Sequence, residues 1–526
     1  MKNFALKSLF LAALCAFPAF AASVLPPMIY SDARIKPMDS FARNALYQMS
    51  GKISVAGVDA SGWVARIVLH APGTDAAPLF RVNRAEVNAL LHLDPAVRYH
   101  AYKEIVPARG LLEEYAERTD AHPVTVEMRH LNDAVTLYEQ LWGAEDYKRI
   151  PNVDPHSERV LARAENDVWR VYPDPTGDSA KLVSAWVYIA EGMSVMMPAT
   201  PSPEQQKRLN LEVVYHRVNL PLWAFALAAC SAVFALLALG FRRKILWNLS
   251  AIFLSFCGCS LIIALVWRIL VTHRAPMASL YEILLLVAFL LVQMLVLLLV
   301  FAQARRLFAL GAILEAALLF FAVACLAGGD TFRPVSALLN SSFWLTLHVF
   351  TIAVGYTGMI LAGLAGHAAL LGKVFRGKNL LDDESKKDTA FSDKLIYGTL
   401  AAGAFFTICG TLLGGFWADV AWGRFWGWDP KENAALFVIL WAMLAFHLRA
   451  ARLITPFMFV VLAALSLPVV GISWFGVNLL GAGLHSYGFE SGTAIAVAGF
   501  VIADAAVIAG LAALAARRQP NFIGYN

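Results

Sequence analysis

The sequence predicts an all-α polytopic membrane protein of about nine transmembrane helices, preceded by a signal peptide and an α-rich extracytoplasmic domain. Three observations support this class. Hydrophobic residues make up 59% of the 526 residues, whereas globular chains are roughly 45–50% apolar. Apolar runs of about 20 residues, the length that crosses ~30 Å of hydrocarbon, recur from Leu220 onward. The first residues have the order of an export signal.

Residues 1–21 form the predicted signal peptide. Lys2 and Lys7 give it a charged start, an apolar stretch follows, and an Ala-x-Ala cleavage site ends the segment at Ala21. An uncleaved anchor is the alternative. In both cases the chain from residue 22 onward is predicted to lie outside the cytoplasm.

Residues 22–215 have mixed polarity and are predicted to form the extracytoplasmic domain. "MDSFARNALYQMSG", which follows Pro37, predicts a short amphipathic helix that ends at Gly51. The apolar spacing over residues 124–142 predicts a longer helix. Strands are less evident. Seven histidines lie between His70 and His216 without ligand spacing, and we interpret them as surface or core residues.

Residues 216–526 contain the predicted membrane spans. They lie near 218–240, 246–268, 278–302, 308–327, 343–372, 392–416, 433–451, 455–475 and 493–515. Basic clusters occur in alternate loops, at Arg242 to Lys244, Arg305 and Arg306, Lys373 to Lys387, Arg449 and Arg452, and Arg517 and Arg518. The positive-inside rule places these loops in the cytoplasm. The sequence therefore predicts a multi-pass protein of the bacterial inner membrane, with its N-terminal domain outside and its C-terminus inside.

Charge and cysteine content exclude two function classes. The net charge is only +5, and no basic stripe interleaves with aromatic residues outside the membrane loops, so nucleic-acid binding is not predicted. One of the six cysteines lies in the signal peptide and the others in apolar spans. The sequence therefore predicts neither a disulfide framework nor a Cys-x-x-Cys redox pair.

The outer loop 417–432, which we call the tryptophan segment, is unusual in so apolar a chain. Its indoles would form a rigid planar surface with N–H donors at the edges. A large planar amphiphile suits such a surface, and an iron porphyrin is the commonest one near a membrane. The alternative is an ordinary interfacial aromatic belt, but the clustering in one loop favours a ligand platform. Its tryptophans are Trp417, Trp422, Trp426 and Trp428, and Trp441 follows in the next span.

A bound iron porphyrin needs axial ligands, and imidazole is a standard one. His348 and His485 lie on the same predicted outer face, on either side of the tryptophan segment. Basic side chains can pair with the porphyrin carboxylates. The candidates for this pairing are Arg424, Lys431 and Arg333.

Several stretches resemble a known family. "WGRFWGWDPKENAALFVILW" (422–441) resembles the WWD signature of the haem-handling membrane proteins of cytochrome c assembly. "SSFWLTLHV" (341–349), "GVNLLGAGLHSYGF" (476–489) and "PMASLYEILL" (276–285) resemble segments of the CcsA/ResC type, the system II cytochrome c synthase. The signature alone does not separate this type from system I proteins, but "GLHSYG" does. Residues 32–52 are similar to the region that precedes the CcsA part of fused CcsB–CcsA proteins.

The resemblance implies that His348 and His485 are axial ligands of haem b held on the tryptophan segment. It implies that His447 belongs to a second, deeper haem site. Haem contacts are also implied for Trp417 and Arg424. At the site of attachment the resemblance implies a catalytic role for Trp422, Trp426, Trp428 and Asp429.

The depth of His447 fits the implied inner site, because it follows Asn433 by 14 residues, or about 21 Å of helix. An interfacial histidine without a ligand role is the alternative. The family supplies the second inner ligand from a CcsB/ResB-like subunit. Here that ligand comes either from a separate subunit, which we favour, or from His367. His273, Glu315 and Asp504 receive no specific role.

The implied reaction joins haem covalently to the Cys-x-x-Cys-His motif of apocytochrome c. The implied partners are haem, apocytochrome c and a CcsB/ResB-like membrane subunit. A haem exporter that delivers haem without attaching it is the first alternative, because the same histidines would serve it. A transporter for another solute is the second, but it leaves the tryptophan segment and both outer histidines unexplained.

The predicted topology can be tested with a reporter that is active only outside the cytoplasm. Fused within 417–432 or after Leu480, the reporter should be active, and fused after Arg517 it should be silent, because the basic clusters hold those loops inside. Activity after Arg517 would refute the nine-span topology and the shared outer face of His348 and His485.

Overall fold

The structure is a computed structural model that describes residues 28–31, 34–68, 70–118, 120, 122–143, 203–327, 331–332, 341–375, 383–477 and 493–518. The chain divides into two compact units. The first comprises Met1–Asn219 with two short returns, Leu270–His273 and Leu326–Pro334. The second comprises Leu220–Ile269, Arg274–Cys325 and Val335–Asn526.

In its described part, the first unit consists of short helices and three antiparallel strand pairs. Its strands are β1 (Met28–Ser31), β2 (Arg34–Pro37), β3 (Ser54–Val55), β4 (Val58–Asp59), β5 (Pro78–Arg81) and β6 (Tyr99–Ala101). Its helices are α1 (Met38–Ser50), α2 (Ala60–Val68), α3 (Ala85–Leu90), α4 (Tyr102–Ile105), α5 (Arg109–Glu117), α6 (Pro123–Gly143) and α7 (Pro203–Val218), with a 3-10 turn at Val106–Ala108.

Both predicted helices of this unit are confirmed. Helix α1 ends where Gly51 takes a left-handed conformation, with φ 66°, which a side chain would disfavour. Helix α6 covers the whole predicted stretch and buries Tyr138, whose ring stacks on Tyr102 at 4.5 Å and meets Phe80 edge-on at 5.6 Å. The strands were not predicted because two to four residues are too few to display an alternating pattern.

The second unit is a helical bundle. Its helices are α8 (Leu220–Phe241), α9 (Lys244–Thr272), α10 (Leu280–Ala302), α11 (Arg305–Phe321), α12 (Ser342–Phe375), α13 (Asp383–Trp422), α14 (Pro430–Ala450), α15 (Pro456–Ala464), α16 (Ser466–Trp474) and α17 (Thr493–Arg518). A π-helical turn, Ala322–Leu326, extends α11. Within the described residues, nine helical stretches are long and apolar enough to cross a membrane, which confirms the predicted fold class.

The eighth stretch is broken at Leu465 into α15 and α16. Pro468 explains the break, because it has no N–H to bond the carbonyl of Ala464 and its ring crowds that carbonyl. The predicted span of residues 455–475 is thus two shorter helices in series.

Helices α12 and α13 pack closely against each other at glycine residues. A Cβ atom on Gly358 would lie 2.7 Å from the Cα of Gly403, and one on Gly355 would lie 2.6 Å from the backbone nitrogen of Thr407. Such distances leave no room for side chains, so the two backbones are in direct contact. Small residues allow this close approach in membrane bundles, where van der Waals packing replaces the hydrophobic effect.

We expect Gly403→Ala to destabilise the bundle, because the added methyl group meets the backbone of α12. Overpacking of this kind costs about 1–3 kcal/mol. Gly398→Ala on the same helix is the matched control, because nothing lies within 4 Å of the position a Cβ would take there. Thermal unfolding of the two variants in detergent measures the difference. Equal unfolding temperatures would mean that the contact between the two helices does not limit stability.

Candidate functional site

His348 lies in the first turns of α12 and is held against the last third of α13. Its Nδ1 is 2.8 Å from the carbonyl oxygen of Gly410, and its ring centroid is 5.9 Å from that of Trp417. A Cβ atom on Gly414 would lie 2.6 Å from the His348 Cε1 atom. The ring therefore lies flush on the helix at a position that only glycine leaves open.

This contact fixes the tautomer of His348. A carbonyl oxygen can only accept a hydrogen bond, so Nδ1 carries the proton and Nε2 is the nitrogen that can coordinate a metal. Metal-ligating histidines usually donate their other ring N–H to a carbonyl or a carboxylate in this way. The surroundings of His348 thus have the form of a ligand site.

The tryptophan segment turns sharply between α13 and α14. Two residues take left-handed conformations, Gly423 with φ 69° and Trp428 with φ 57°. The second is unusual for a bulky side chain, and it is supported by the Asn433 side-chain amide, which donates to the Trp428 carbonyl at 3.0 Å. We call this end of the second unit, where α12 begins, α13 ends and α14 begins, the tryptophan end.

The tryptophans of this segment differ in exposure. Trp417 is buried, with 7% of its surface exposed, and it contacts His348, whereas Trp428 is 72% exposed. Trp426 meets Trp428 edge-on, with centroids 6.0 Å apart, and Trp422 is half-buried at the last position of α13. The structure thus brings His348 together with one predicted tryptophan and places the half-buried Trp426 against the exposed Trp428 further along the loop.

Trp441 lies in α14, away from this loop. Its indole N–H donates to the Leu462 carbonyl at 3.2 Å, which ties α14 to α15. It therefore has a packing role in the bundle.

Asp429 is the N-cap of α14. Its buried carboxylate accepts a hydrogen bond from the Lys431 amide at 2.9 Å, and Glu432 reaches back to the amides of Gly427 and Asp429 at 2.8 and 3.1 Å. This is a capping box with proline at the first helical position. The catalytic role of Asp429 stays a prediction, but the structure gives the Asp-Pro-Lys-Glu motif a folding role.

The basic residues of the segment have different surroundings. The guanidinium group of Arg424 lies against Gly427. A Cβ atom added to Gly427 would overlap this group. Lys431 points away from the loop, and its Nζ donates to the Trp474 carbonyl at 2.5 Å. Arg333 and His485 lie outside the described residues.

His447 and His367, both predicted to lie toward the cytoplasmic side of the membrane, have opposite environments. The His447 Nδ1 is 2.7 Å from the Met443 carbonyl one turn earlier, and its ring is exposed on the surface of the second unit. His367 is buried: its Nδ1 is 2.8 Å from the Gly363 carbonyl, and its Nε2 forms an ion pair with Asp504 at 3.2 Å.

Within the described residues, no three His, Cys, Asp or Glu side chains converge to hold a metal ion. The described part of the chain instead presents single histidines whose Nδ1 is bound to a backbone carbonyl. Single axial histidines suit a porphyrin iron, because the macrocycle itself supplies the other nitrogen ligands.

Sequence reasoning missed Gly410 and Gly414, which orient His348, and the pairing of His367 with Asp504. The spacing of Gly403, Gly410 and Gly414 along one predicted span was the available signal. Gly403 and Gly410 are seven residues apart and Gly410 and Gly414 are four apart, or about two turns and one turn, so all three lie on one face of the helix.

Fold and site together define a polytopic helical membrane protein with a histidine and an aromatic loop at one end of its bundle. Residues 277–485 match the family model described as Cytochrome C assembly protein. The CcsA cytochrome c biogenesis protein of Chlorella vulgaris is 30% identical over 272 residues, covering 44% of this chain and 83% of that protein. The chain belongs to this CcsA family of cytochrome c biogenesis proteins.

Other relatives differ in coverage. Protein NrfI of Wolinella succinogenes is 27% identical over 501 residues, which cover 86% of this chain and 53% of NrfI. CcsA of Guillardia theta is 36% identical over 175 residues, which cover 30% of this chain and 57% of that protein. The chain thus spans about half the length of these two relatives.

Substitutions of Asp429 can distinguish a helix-capping role from a catalytic role. If its role is the N-cap, Asp429→Ser and Asp429→Asn should retain cytochrome c maturation, because both residues cap well, and Asp429→Ala should lower stability by about 0.5–2 kcal/mol. Thermal unfolding and the yield of a reporter cytochrome c measure the two effects. Loss of maturation in a stably folded Asp429→Asn protein would instead support a chemical role for the carboxylate.

Proposed function

We propose that this protein binds haem at the tryptophan end, outside the cytoplasm, and promotes its covalent attachment to apocytochrome c. The observation that carries the proposal is the orientation of His348. Its Nδ1 is bound to the Gly410 carbonyl and its ring lies beside the buried Trp417. A side chain held in this way has the tautomer in which Nε2 is the nitrogen that coordinates a metal.

The surrounding groups fit haem as a substrate. The exposed Trp428 and the half-buried Trp426 beside it offer aromatic surface for the macrocycle. Arg424 is a half-buried cation in the same loop and suits a haem carboxylate. Trp422 completes the aromatic set at the end of α13. His485, the second proposed axial ligand, comes from the segment that follows α16.

The chemistry requires no nucleophile from this chain. Each thiol of a Cys-x-x-Cys-His motif adds across one haem vinyl group: a carbon–sulfur bond forms, and the thiol hydrogen ends on the other vinyl carbon. Nothing leaves and no electrons are exchanged overall. The chain contributes orientation, because holding the porphyrin converts a bimolecular encounter into an oriented one. The motif histidine then replaces one of the two axial histidines.

We propose a second haem site at His447, completed by a CcsB/ResB-like membrane subunit. The exposed ring of His447, with Nδ1 already bound, supports a ligand shared with another chain. The engagement of both His367 nitrogens argues against His367 as that ligand, because coordination would break its pairing with Asp504. Haem made in the cytoplasm would enter at this depth.

A haem exporter that does not catalyse attachment is the alternative function. Expression of this chain with a CcsB-like partner, in a host without its own synthase, separates the two. Covalent cytochrome c in that host supports the synthase, and haem on the protein without covalent product supports the exporter.

Loss of an axial histidine and loss of a single tryptophan of the platform should have different effects. We expect His348→Gly and His485→Gly to abolish maturation, and added imidazole to restore it, because each substitution opens one coordination position. Trp426→Ala and Trp428→Ala should weaken haem retention only about two- to tenfold, the worth of one aromatic contact, and imidazole should not restore it. Reporter cytochrome c yield with and without imidazole measures this.

The matched control is His273→Gly, which removes a half-exposed histidine of the first unit that pairs with Glu204. It should leave maturation unchanged. Wild-type activity in both the His348 and the His485 variants would rule them out as ligands.

A further inference from the structure

We infer that Lys431 is a positioning residue that fixes the end of α16 to the tryptophan segment, and so sets where the chain leaves toward His485. The inference rests on the proposed function, because it gives His485 a defined starting point relative to the platform. Three observations support it.

The first is that Lys431 lies at the wrong end of its own helix. It is the second residue of α14, where the positive end of the helix dipole disfavours a cation. Its Nζ instead donates to the carbonyl of Trp474, the last residue of α16. There the dipole favours a cation, and helix-terminal carbonyls lack partners in their own helix. Lys431 therefore provides a hydrogen bond to the C-terminal carbonyl of α16, although its own position in the first turn of α14 disfavours a cation.

The second observation is that α12 also contacts the C-terminal end of α16. The Tyr356 hydroxyl is 3.0 Å from the Ser473 Oγ, and the Tyr356 and Trp474 rings are 6.1 Å apart in an edge-to-face arrangement. Tyr356, Ser473 and Trp474 are all buried. Because Tyr356 follows His348 by eight residues on one helix, or about 12 Å, the end of α16 has a fixed distance from His348.

The third observation is the position of this junction in the chain. His485 follows Trp474 by 11 residues, and the described chain continues from Trp474 through Phe475 to Val477. Phe475 packs on the Trp474 ring at 4.8 Å and on Phe321 at 5.6 Å. The start of the His485 segment is therefore held by α14, α12 and α11 together. Lys431 is the member of this set that belongs to the tryptophan segment itself.

The junction explains how two separate segments can act on one haem. Within the described residues, the hydrogen bond from Lys431 to the Trp474 carbonyl links the tryptophan segment to the end of α16, from which the chain runs on toward His485. Without this bond, the end of α16 would keep its contacts with Tyr356 and Phe321 but would be less restricted relative to the tryptophan segment. A lysine that instead paired with a haem carboxylate would act on haem alone and leave α16 unaffected.

The test compares Lys431→Met, which keeps length without charge, with Lys431→Arg, which can still donate to the carbonyl. Lys394→Met is the control, because Lys394 is exposed on α13. In the full-length haem-free protein, amide hydrogen exchange of residues 475–477 should be about tenfold faster in Lys431→Met, the upper end of the effect expected for one lost hydrogen bond. It should be close to wild type in Lys431→Arg and Lys394→Met.

With haem bound, the absorption spectrum gives a second measurement. Lys431→Met should lose part of the six-coordinate low-spin signal, and imidazole should restore it, because an external ligand does not depend on the position of α16. Wild-type exchange rates in Lys431→Met would overturn the inference. So would slow exchange combined with a loss of binding for haem but not for haem dimethyl ester, since that result assigns Lys431 to a haem carboxylate.

The ligand assignment of His485 and the anchoring role of Lys431 can be disproved independently. If His485→Gly leaves the spectrum unchanged, the ligand assignment is wrong, but hydrogen exchange still decides whether Lys431 anchors α16. If Lys431→Met does not insert in the membrane, Tyr356→Phe replaces it, because this variant loses the hydroxyl contact to Ser473 and keeps the ring. Wild-type exchange at residues 475–477 in that variant would equally contradict the junction.

Discussion

The direct backbone contact between α12 and α13 is the constraint on which the site depends. Gly358 and Gly403 bring the two helices together near their middle, and the same closeness continues upward to Gly410 and Gly414. There it allows the His348 ring to lie on α13 and to donate to a backbone carbonyl. A wider separation would leave the ring free to rotate. The glycines therefore determine the tautomer and direction of the histidine without contacting any ligand.

A second constraint shapes the loop beside this histidine. The capping box of Asp429 and Glu432 uses backbone amides to close the start of α14, and it holds Trp428 in a left-handed conformation. Asp429 and Glu432 thus form hydrogen bonds within the fold, while the ring of Trp428 is exposed at the surface. Lys431 links the same turn to α16. One short motif in this way orders the loop and connects it to a neighbouring helix.

The sequence predicted what depends on local pattern. Hydropathy located the nine spans found in the described residues because each run is long and apolar, and Pro37 and Gly51 marked the ends of α1. The approach of His348 to Trp417 followed from topology, because adjacent spans share an end. What depends on contacts between distant residues was not predictable: the Gly410 carbonyl beneath His348, the ion pair of His367 with Asp504, and the carbonyl partner of Lys431. Asp429 shows a further limit, because one residue type serves equally as a helix cap and as a catalytic acid.

The proposed function depends above all on His348, which we propose coordinates haem iron through Nε2 while Nδ1 stays bound to the Gly410 carbonyl. Structure determination of the haem-loaded protein by electron cryomicroscopy tests it most directly. We expect haem to lie against the tryptophan segment, with iron on the His348 Nε2 and the contact from Nδ1 to the carbonyl oxygen of Gly410 retained near 2.8 Å. Haem at the tryptophan end with its iron on other side chains, or a His348 ring turned away from α13, would contradict it.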